Sequence, residues 1–267
     1  MENSKEIKEV VKKKYSEIAV NPKQDKDLCC TETTCCANVE FKAFEGEYKT
    51  LEGYNKDADL KLGCGMPTEF ARIKKGDTVV DLGSGAGNDC FVARSQTGES
   101  GMVIGLDFTE EMLKRANENL AKTGYKNIKF VYGDIEKMPI EDAVVDVVVS
   151  NCVLNLCPDK EKAFSEIFRI LKPGGHFSVS DIVLTGDLPD SLRKVAELYA
   201  GCISGALKKE EYLGIIEKTG FKNIKVDKEY QITLPEETLQ KFLTKEQLQK
   251  YRESGTGAYS INVYAEK

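Results

Sequence analysis

The sequence predicts an α/β fold: a doubly wound sheet of mainly parallel strands with helices on both faces. Three observations predict it. From about residue 70, apolar runs of strand length alternate with amphipathic stretches of helix length, the order that builds β-α-β units. A glycine-rich turn, Asp81-Leu82-Gly83-Ser84-Gly85-Ala86-Gly87, lies between the first strand and its helix. The run from Val144 to Ser150 is almost wholly apolar, as a strand covered on both faces must be. A chain of 267 residues is expected to form one such core with appendages rather than two small domains.

Taken in order, residues 3–19 place Ile7, Val10, Val11, Tyr15 and Ile18 at helical spacing opposite a charged face, and Asn21-Pro22 reads as the stop. Residues 21–60 are polar and turn-rich. The core then begins with a strand at Thr78–Leu82, the glycine turn, and a helix to about Arg94. Met102–Asp107 is the second strand. Thr109 reads as the N-cap of a helix reaching Lys122, with Glu110 and Glu111 in its first turn. Ile128–Tyr132 and Val144–Ser150 are the third and fourth strands. A helix over 159–171 is closed by Lys172-Pro173-Gly174-Gly175, and His176–Leu184 is the fifth strand. Helices near 189–200 and 208–219, a strand at Lys222–Val226, a helix near 236–252 and a strand at Tyr259–Ala265 complete the chain. Three regions follow: an N-terminal helix with a cysteine-rich cap (1–69), the core (70–185), and a C-terminal part that completes the sheet (186–267).

Charge and hydropathy exclude several function classes. A formal net charge of -6 argues against a nucleic-acid partner, which needs a basic face. No apolar run is long enough to cross a bilayer, and the charged start lacks a signal-peptide core, so a cytoplasmic protein with no membrane contact is expected. The nine cysteines, an odd number in a chain with no export signal, do not read as a disulfide framework. They point to metalloid, metal or redox chemistry, or to small buried side chains.

The glycine turn lets the backbone approach a ligand closely. Asp107 ends the second strand about 20 residues further on, where a carboxylate binds ribose hydroxyls. Asp134, after the third strand, suits an adenine amino group, with Ile135 against the ring. A nicotinamide site would need Gly-x-Gly-x-x-Gly, but Gly87 comes one residue too early. Over about residues 70–185 the chain therefore resembles the seven-stranded, Rossmann-like S-adenosylmethionine-dependent methyltransferases. The resemblance implies that Asp81, Gly83, Ser84, Gly85, Gly87, Asp107, Asp134, Ile135 and Asn151 line the cofactor. It also implies that the final strand inserts antiparallel.

Many methyltransferases use a base to deprotonate an oxygen or nitrogen acceptor. The one histidine here, His176, begins a strand at the end of the sheet away from the cofactor and reads as structural. Cysteines lie nearer: Cys152 after the fourth strand, Cys64 in a turn leading into the core, and Cys202 after the helix near 189–200. Spacing alone does not bring the three together. The segments Leu62–Pro67, Asp81–Cys90, Asn151–Leu156, Leu171–Gly175, Val179–Ile182 and Tyr199–Leu207 closely resemble those of the arsenite methyltransferases.

That resemblance implies that Cys64, Cys152 and Cys202 hold trivalent arsenic, a soft centre matched by thiolates. It implies a small arsenical as substrate, with a thiol reductant, thioredoxin or glutathione, and thioredoxin as a candidate partner. A lone pair on arsenic can attack a sulfonium methyl group directly, so no general base is needed and orientation is the main contribution. The family has a further N-terminal cysteine in a disulfide relay. Cys29, Cys30, Cys35 and Cys36 are the candidates; they relay electrons, capture arsenic, bind zinc, or form a dispensable tail. Their spacing lacks the C-x2-C zinc knuckle. Cys90 reads as core, and Cys157 has no family match. Two rival functions remain open on sequence: methylation of a carbon acceptor such as a quinone, and metalloid binding without catalysis.

Overall fold

The computed structural model describes residues 2–20, 48–186, 205–232, 239–240 and 243–267, and all that follows concerns these. In chain order they form α1 (Glu2–Val20), α2 (Pro67–Phe70), β1 (Thr78–Leu82), α3 (Asn88–Thr97), β2 (Met102–Asp107), α4 (Glu110–Thr123), β3 (Ile128–Tyr132), β4 (Val145–Asn151), α5 (Lys160–Ile170), β5 (Leu171–Thr185), α6 (Lys209–Thr219), β6 (Lys222–Ile232), α7 (Lys245–Glu253) and β7 (Gly257–Glu266). One seven-stranded sheet runs β3-β2-β1-β4-β5-β7-β6. The first five strands in this order pair in parallel. The last strand, β7, inserts antiparallel between β5 and β6.

Two cores explain the apolar central strands. Successive side chains of a strand point to opposite faces. Val80, Leu82 and Val148 pack with Phe164 and Ile167 of α5 and Tyr212 of α6. Their neighbours Val79, Val147 and Val149 pack on the other face with Cys90 and Phe91 of α3. The one charge in the fourth-strand run is also accounted for: Asp146 accepts from the Thr78 amide at 2.8 Å and from Lys172 Nζ at 2.8 Å.

Several local details depart from the sequence reading. Helix α3 runs to Thr97 and not Arg94. Thr109 does occupy the N-cap position of α4, but its hydroxyl makes no cap bond; the Asp107 carboxylate accepts from the Thr109 amide instead, at 2.8 Å. The segment Lys172-Pro173-Gly174-Gly175 does more than stop α5. It is a bulge inside β5, because Leu171 pairs with Val145 and the next partner, Val147, meets His176. The bulge is secured from another direction, since Lys267 N donates to Gly175 O at 2.9 Å. Strand β6 continues to Ile232; residues 239–240 are helical, and α7 begins anew at Lys245 behind a capping box formed by Thr244 and Gln247. The helix expected near 189–200 lies outside the described residues.

The N-terminal helix leans on the core. Arg115 of α4 donates to Ala19 O at 3.2 Å, and Lys8 reaches the loop after β3. Among the described residues, no helix is long and apolar enough to cross a membrane.

Tight packing between β2 and its neighbours gives a stability prediction. A Cβ at Gly105 would sit 2.6 Å from Phe130 Cδ1 and 2.8 Å from Cys90 Sγ. Gly105→Ala is expected to lower stability by roughly 1–3 kcal/mol through overpacking, read as a lower urea midpoint at unchanged slope. Adding Phe130→Leu should restore part of the loss; a midpoint equal to wild type for Gly105→Ala would contradict this packing.

Candidate active site

The strand order reverses between β1 and β4, and in open α/β sheets ligands bind at the carboxyl ends of the strands beside such a point. The glycine turn lies there. Gly83, Gly85 and Gly87 have φ of 66°, 51° and 96°, the left-handed region that side chains resist. Gly83 is also pressed against the loop after β4: a Cβ there would lie 2.5 Å from Val153 Cγ2.

Three carboxyl groups gather around this turn. Asp81, Asp89 and Asp107 are all buried. Burial pushes the Asp81 carboxyl well up, helped by the charge of Asp89; burial likewise raises Asp89 and Asp107. Cys90 Sγ donates to Asp81 Oδ2 at 3.2 Å, and Gly85 N to Asp107 Oδ2 at 2.9 Å. Tyr48 donates its hydroxyl to Asp89. Ser84 Oγ is buried with no hydrogen-bond partner. A ligand bearing cationic groups and hydroxyl donors fits this cradle, since it would neutralise the carboxylates and satisfy Ser84. S-adenosylmethionine, with a sulfonium, an ammonium and ribose hydroxyls, is such a ligand. Beyond it lies Asp134, whose Oδ1 accepts from Glu136 N at 2.9 Å and whose Oδ2 meets Lys8 Nζ at 2.6 Å. Lys8 bridges to Glu136 Oε2 at 2.6 Å as well. Ile135 is buried beside them.

Cys64 and Cys152 converge on the other side of Asn151. Their sulfurs and a carboxylate oxygen of Asp181 all lie within 4.8 Å of one another, and all three residues are buried. Cys152 follows β4 with a φ of 62°, its amide donating to Ser180 O at 2.7 Å. Cys64 arrives on the turn Gly63-Cys64-Gly65. That turn rests on small polar residues of β5 and β7: Ser260 Oγ donates to Cys64 O at 2.6 Å, and Cys64 Sγ points to Ser180 O at 3.6 Å. A Cβ at Gly65 would lie 2.5 Å from Ser180 Oγ, so only glycine allows so close a seat.

Asn151 holds the turn in place. Its Oδ1 accepts from Cys64 N at 3.0 Å and Gly65 N at 3.2 Å; its Nδ2 donates to Gly65 O at 2.9 Å and Asp89 Oδ2 at 3.1 Å. Its amide thus links the Cys64 turn to Asp89 at the edge of the glycine turn. Cys202 and the cluster Cys29, Cys30, Cys35 and Cys36 lie outside the described residues. His176 is remote and structural in contacts: Nε2 is 2.6 Å from Ala71 O, and its ring lies 5.1 Å from that of Tyr264. Burial pushes the thiol of Cys90 well up and that of Cys157 up to about 12, which leaves both in the unreactive thiol form.

Four polar residues of the site carry no clear mark in the sequence reading. Tyr48 and Asp89 close the cradle. Asp181 lies beside the thiol pair, with Tyr212 donating its hydroxyl to Asp181 Oδ2 at 3.1 Å and the Lys160 ammonium acting on its charge. Burial pushes the Asp181 carboxyl up to about 7, against the pull of the Lys160 ammonium. Asp89 and Asp181 do lie within two of the segments that carry the family resemblance, Asp81–Cys90 and Val179–Ile182, but nothing in those segments marks their contacts.

Comparison with known proteins accords with this geometry. Residues 73–220 match a methyltransferase domain family. The chain is 37% identical over 231 residues to an arsenite methyltransferase of Halobacterium salinarum, covering 83% of this chain and 59% of that protein. It is 36% identical over 184 residues to an arsenite methyltransferase of Aquipseudomonas alcaligenes, covering 66% of this chain and 53% of that protein. The chain thus spans a little over half the length of these curated relatives. The crystal structure of an arsenic (III) S-adenosylmethionine methyltransferase from Chlamydomonas reinhardtii superposes with a TM-score of 0.66 at 31% identity, covering 85% of this chain and 72% of that one.

The Asn151 clamp is open to test by hydrogen exchange. Asn151→Ala should raise the exchange rates of the Cys64 and Gly65 amides by about tenfold or more, as their acceptor is lost, while amides in the middle of β1 stay protected. Unchanged exchange at Cys64 and Gly65 would mean that the turn holds itself.

Proposed function

The chain belongs to the arsenic(III) methyltransferase family, and from that premise we propose that it methylates trivalent arsenic held by the thiolates of Cys64, Cys152 and Cys202. The observation that carries the reading is the meeting of Cys64 and Cys152, distant in sequence, within 4.8 Å at the crevice beside the glycine turn. Arsenic as the trihydroxide would exchange each hydroxyl for a thiol sulfur, releasing one water per As–S bond. Three thiolates suit its softness and leave its lone pair free.

When bound, S-adenosylmethionine supplies a methyl group activated by its sulfonium. Gly83, Ser84, Gly85 and Gly87 would form its cradle, Asp107 would take the ribose, Asp134 and Ile135 the adenine, and buried Asp81 would add negative charge beneath. Asn151 would set the height of Cys64 relative to that cradle, and so the line of approach of arsenic to the methyl group. Alignment of this kind is where such a reaction gains most of its rate, and no residue has to remove a proton from the nucleophile.

Each transfer formally raises arsenic from the trivalent to the pentavalent state. Two thiols, becoming a disulfide, return it. We assign the supply of thiols to a reductant such as thioredoxin or glutathione, with Cys29, Cys30, Cys35 and Cys36 as candidates for the relay. A cytoplasmic setting, where thiols stay reduced, agrees with that need.

The test is direct. Pure protein incubated with arsenite, S-adenosylmethionine and glutathione should yield methylated arsenic on speciation; its absence under reducing conditions would overturn the proposal. Arsenite retained in stoichiometric amount without turnover would favour a binding protein instead. Cys152→Ser should reduce methylation to background while S-adenosylmethionine binding by calorimetry stays within about twofold of wild type, a difference of well under 1 kcal/mol. Loss of cofactor affinity in that variant would make Cys152 a structural residue of the cradle.

A further inference from the structure

The carboxylate of Asp181 stands beside the thiol pair but has no part in the arsenic chemistry above. We propose that Cys64, Cys152 and Asp181 form a site for a divalent cation of filled d shell, zinc or cadmium, which competes with arsenic for the same two sulfurs. The proposal goes beyond the methyltransferase reading and needs only the thiol pair.

Geometry supports it first. The three donor atoms lie within 4.8 Å of one another. A tetrahedral zinc ion with Zn–S near 2.3 Å and Zn–O near 2.1 Å would need separations of about 3.5–3.8 Å, so side-chain rotations that close the gap by about 1 Å suffice. The donors come from three rigidly held segments: the turn clamped by Asn151, the residue after β4 whose amide bonds Ser180 O, and the interior of β5.

Asp181 supplies the second argument. Its residue has no solvent exposure. Oδ2 accepts from the Tyr212 hydroxyl at 3.1 Å, the backbone amides of Ile182 and Asn155 approach the carboxyl, and Oδ1 is left without a well-formed hydrogen bond. A buried carboxylate oxygen so poorly satisfied is costly, and a cation beside the thiols would satisfy it. The Tyr212 hydroxyl would act as the outer partner that orients the ligating carboxylate.

Charge is the third. Two thiolates and a carboxylate carry three negative charges, a divalent cation returns two, and the Lys160 ammonium, whose charge acts on Asp181, returns the last. Lys160 is held in place by Asn155 O at 3.4 Å and Cys157 O at 3.3 Å. The same donor set discriminates between ligands. Trivalent arsenic is served by sulfur alone, whereas zinc and cadmium accept mixed sulfur and oxygen shells. Asp181 therefore contributes to cation binding and not to arsenic binding.

The experiment uses the full chain carrying Cys29→Ser, Cys30→Ser, Cys35→Ser and Cys36→Ser, which removes the other thiol cluster, reduced with a phosphine in metal-free buffer. Cadmium is titrated against a chromophoric chelator while the thiolate-to-cadmium charge-transfer band is followed in the ultraviolet. One cadmium should bind per chain, and Cys152→Ser should lose most of the band. Asp181→Asn, which keeps an acceptor for Tyr212, should weaken cadmium binding by about tenfold or more, while arsenite retained through gel filtration stays stoichiometric. No cadmium binding, wild-type affinity in Asp181→Asn, or equal loss of cadmium and arsenite in that variant would each overturn the proposal. If Asp181→Asn fails to fold by circular dichroism, X-ray absorption of the zinc-loaded chain decides: a mixed sulfur and oxygen shell is expected, and an all-sulfur shell overturns it. Methyl transfer enters none of these readouts, so failure here and failure of the arsenic reaction are separate results.

Discussion

Asn151 leaves the carboxyl end of β4 with all four hydrogen-bonding positions of its amide engaged, toward the Cys64 turn on one side and Asp89 on the other. The thiol pair and the glycine turn lie on either side of this amide, and neither loop alone would hold the two in register. The glycine turn is fixed by its own backbone conformations. The cysteine turn has little structure of its own and depends on this amide and on the serines of β5 and β7. Both halves of the site are thus referred to the same central strand, and the sheet serves as the ruler between them. That strand is in turn fixed on both faces by valines that pack into two cores.

The cradle carries a price in stability that a bound ligand would recover. Three buried carboxyl groups with raised protonation tendencies and an unpartnered serine hydroxyl are costly to bury. The same arrangement attracts a ligand with positive charge and hydroxyl donors. Binding and local stability are therefore linked, because a ligand that prefers the folded state stabilises it. The N-terminal helix joins this economy at the far end of the cradle. Lys8 sits on Asp134 and Glu136, so α1 shares the carboxylate expected to meet the adenine.

The parts of the fold legible in the sequence were those with a local cause. Strand and helix periods gave β1, β2 and β3 at their observed limits, and the glycine turn lies where expected, between β1 and α3. What escaped the reading was set by partners distant in the chain. The bulge at Lys172–Gly175 exists because Asp146 and Lys267 hold it, and nothing in a Pro-Gly-Gly segment distinguishes a bulge from a stop. The roles of Asn151, Asp181 and Lys160 arise only when β4, β5 and the Cys64 turn are stacked together. The soft acceptor followed from family likeness and not from cysteine spacing; Cys64 and Cys152 do meet, and Cys202 lies outside the described residues.

The order of the sheet has a consequence for biogenesis. Strand β7 is the last of the seven to emerge from the ribosome, yet it lies between β5 and β6 and supplies Ser260, which anchors the Cys64 carbonyl. Until β7 is released, β5 has a bare edge, and the thiol turn lacks part of its floor. A nascent chain carrying every residue of the glycine turn would still lack this support for the Cys64 turn, which is complete only once β7 has been made.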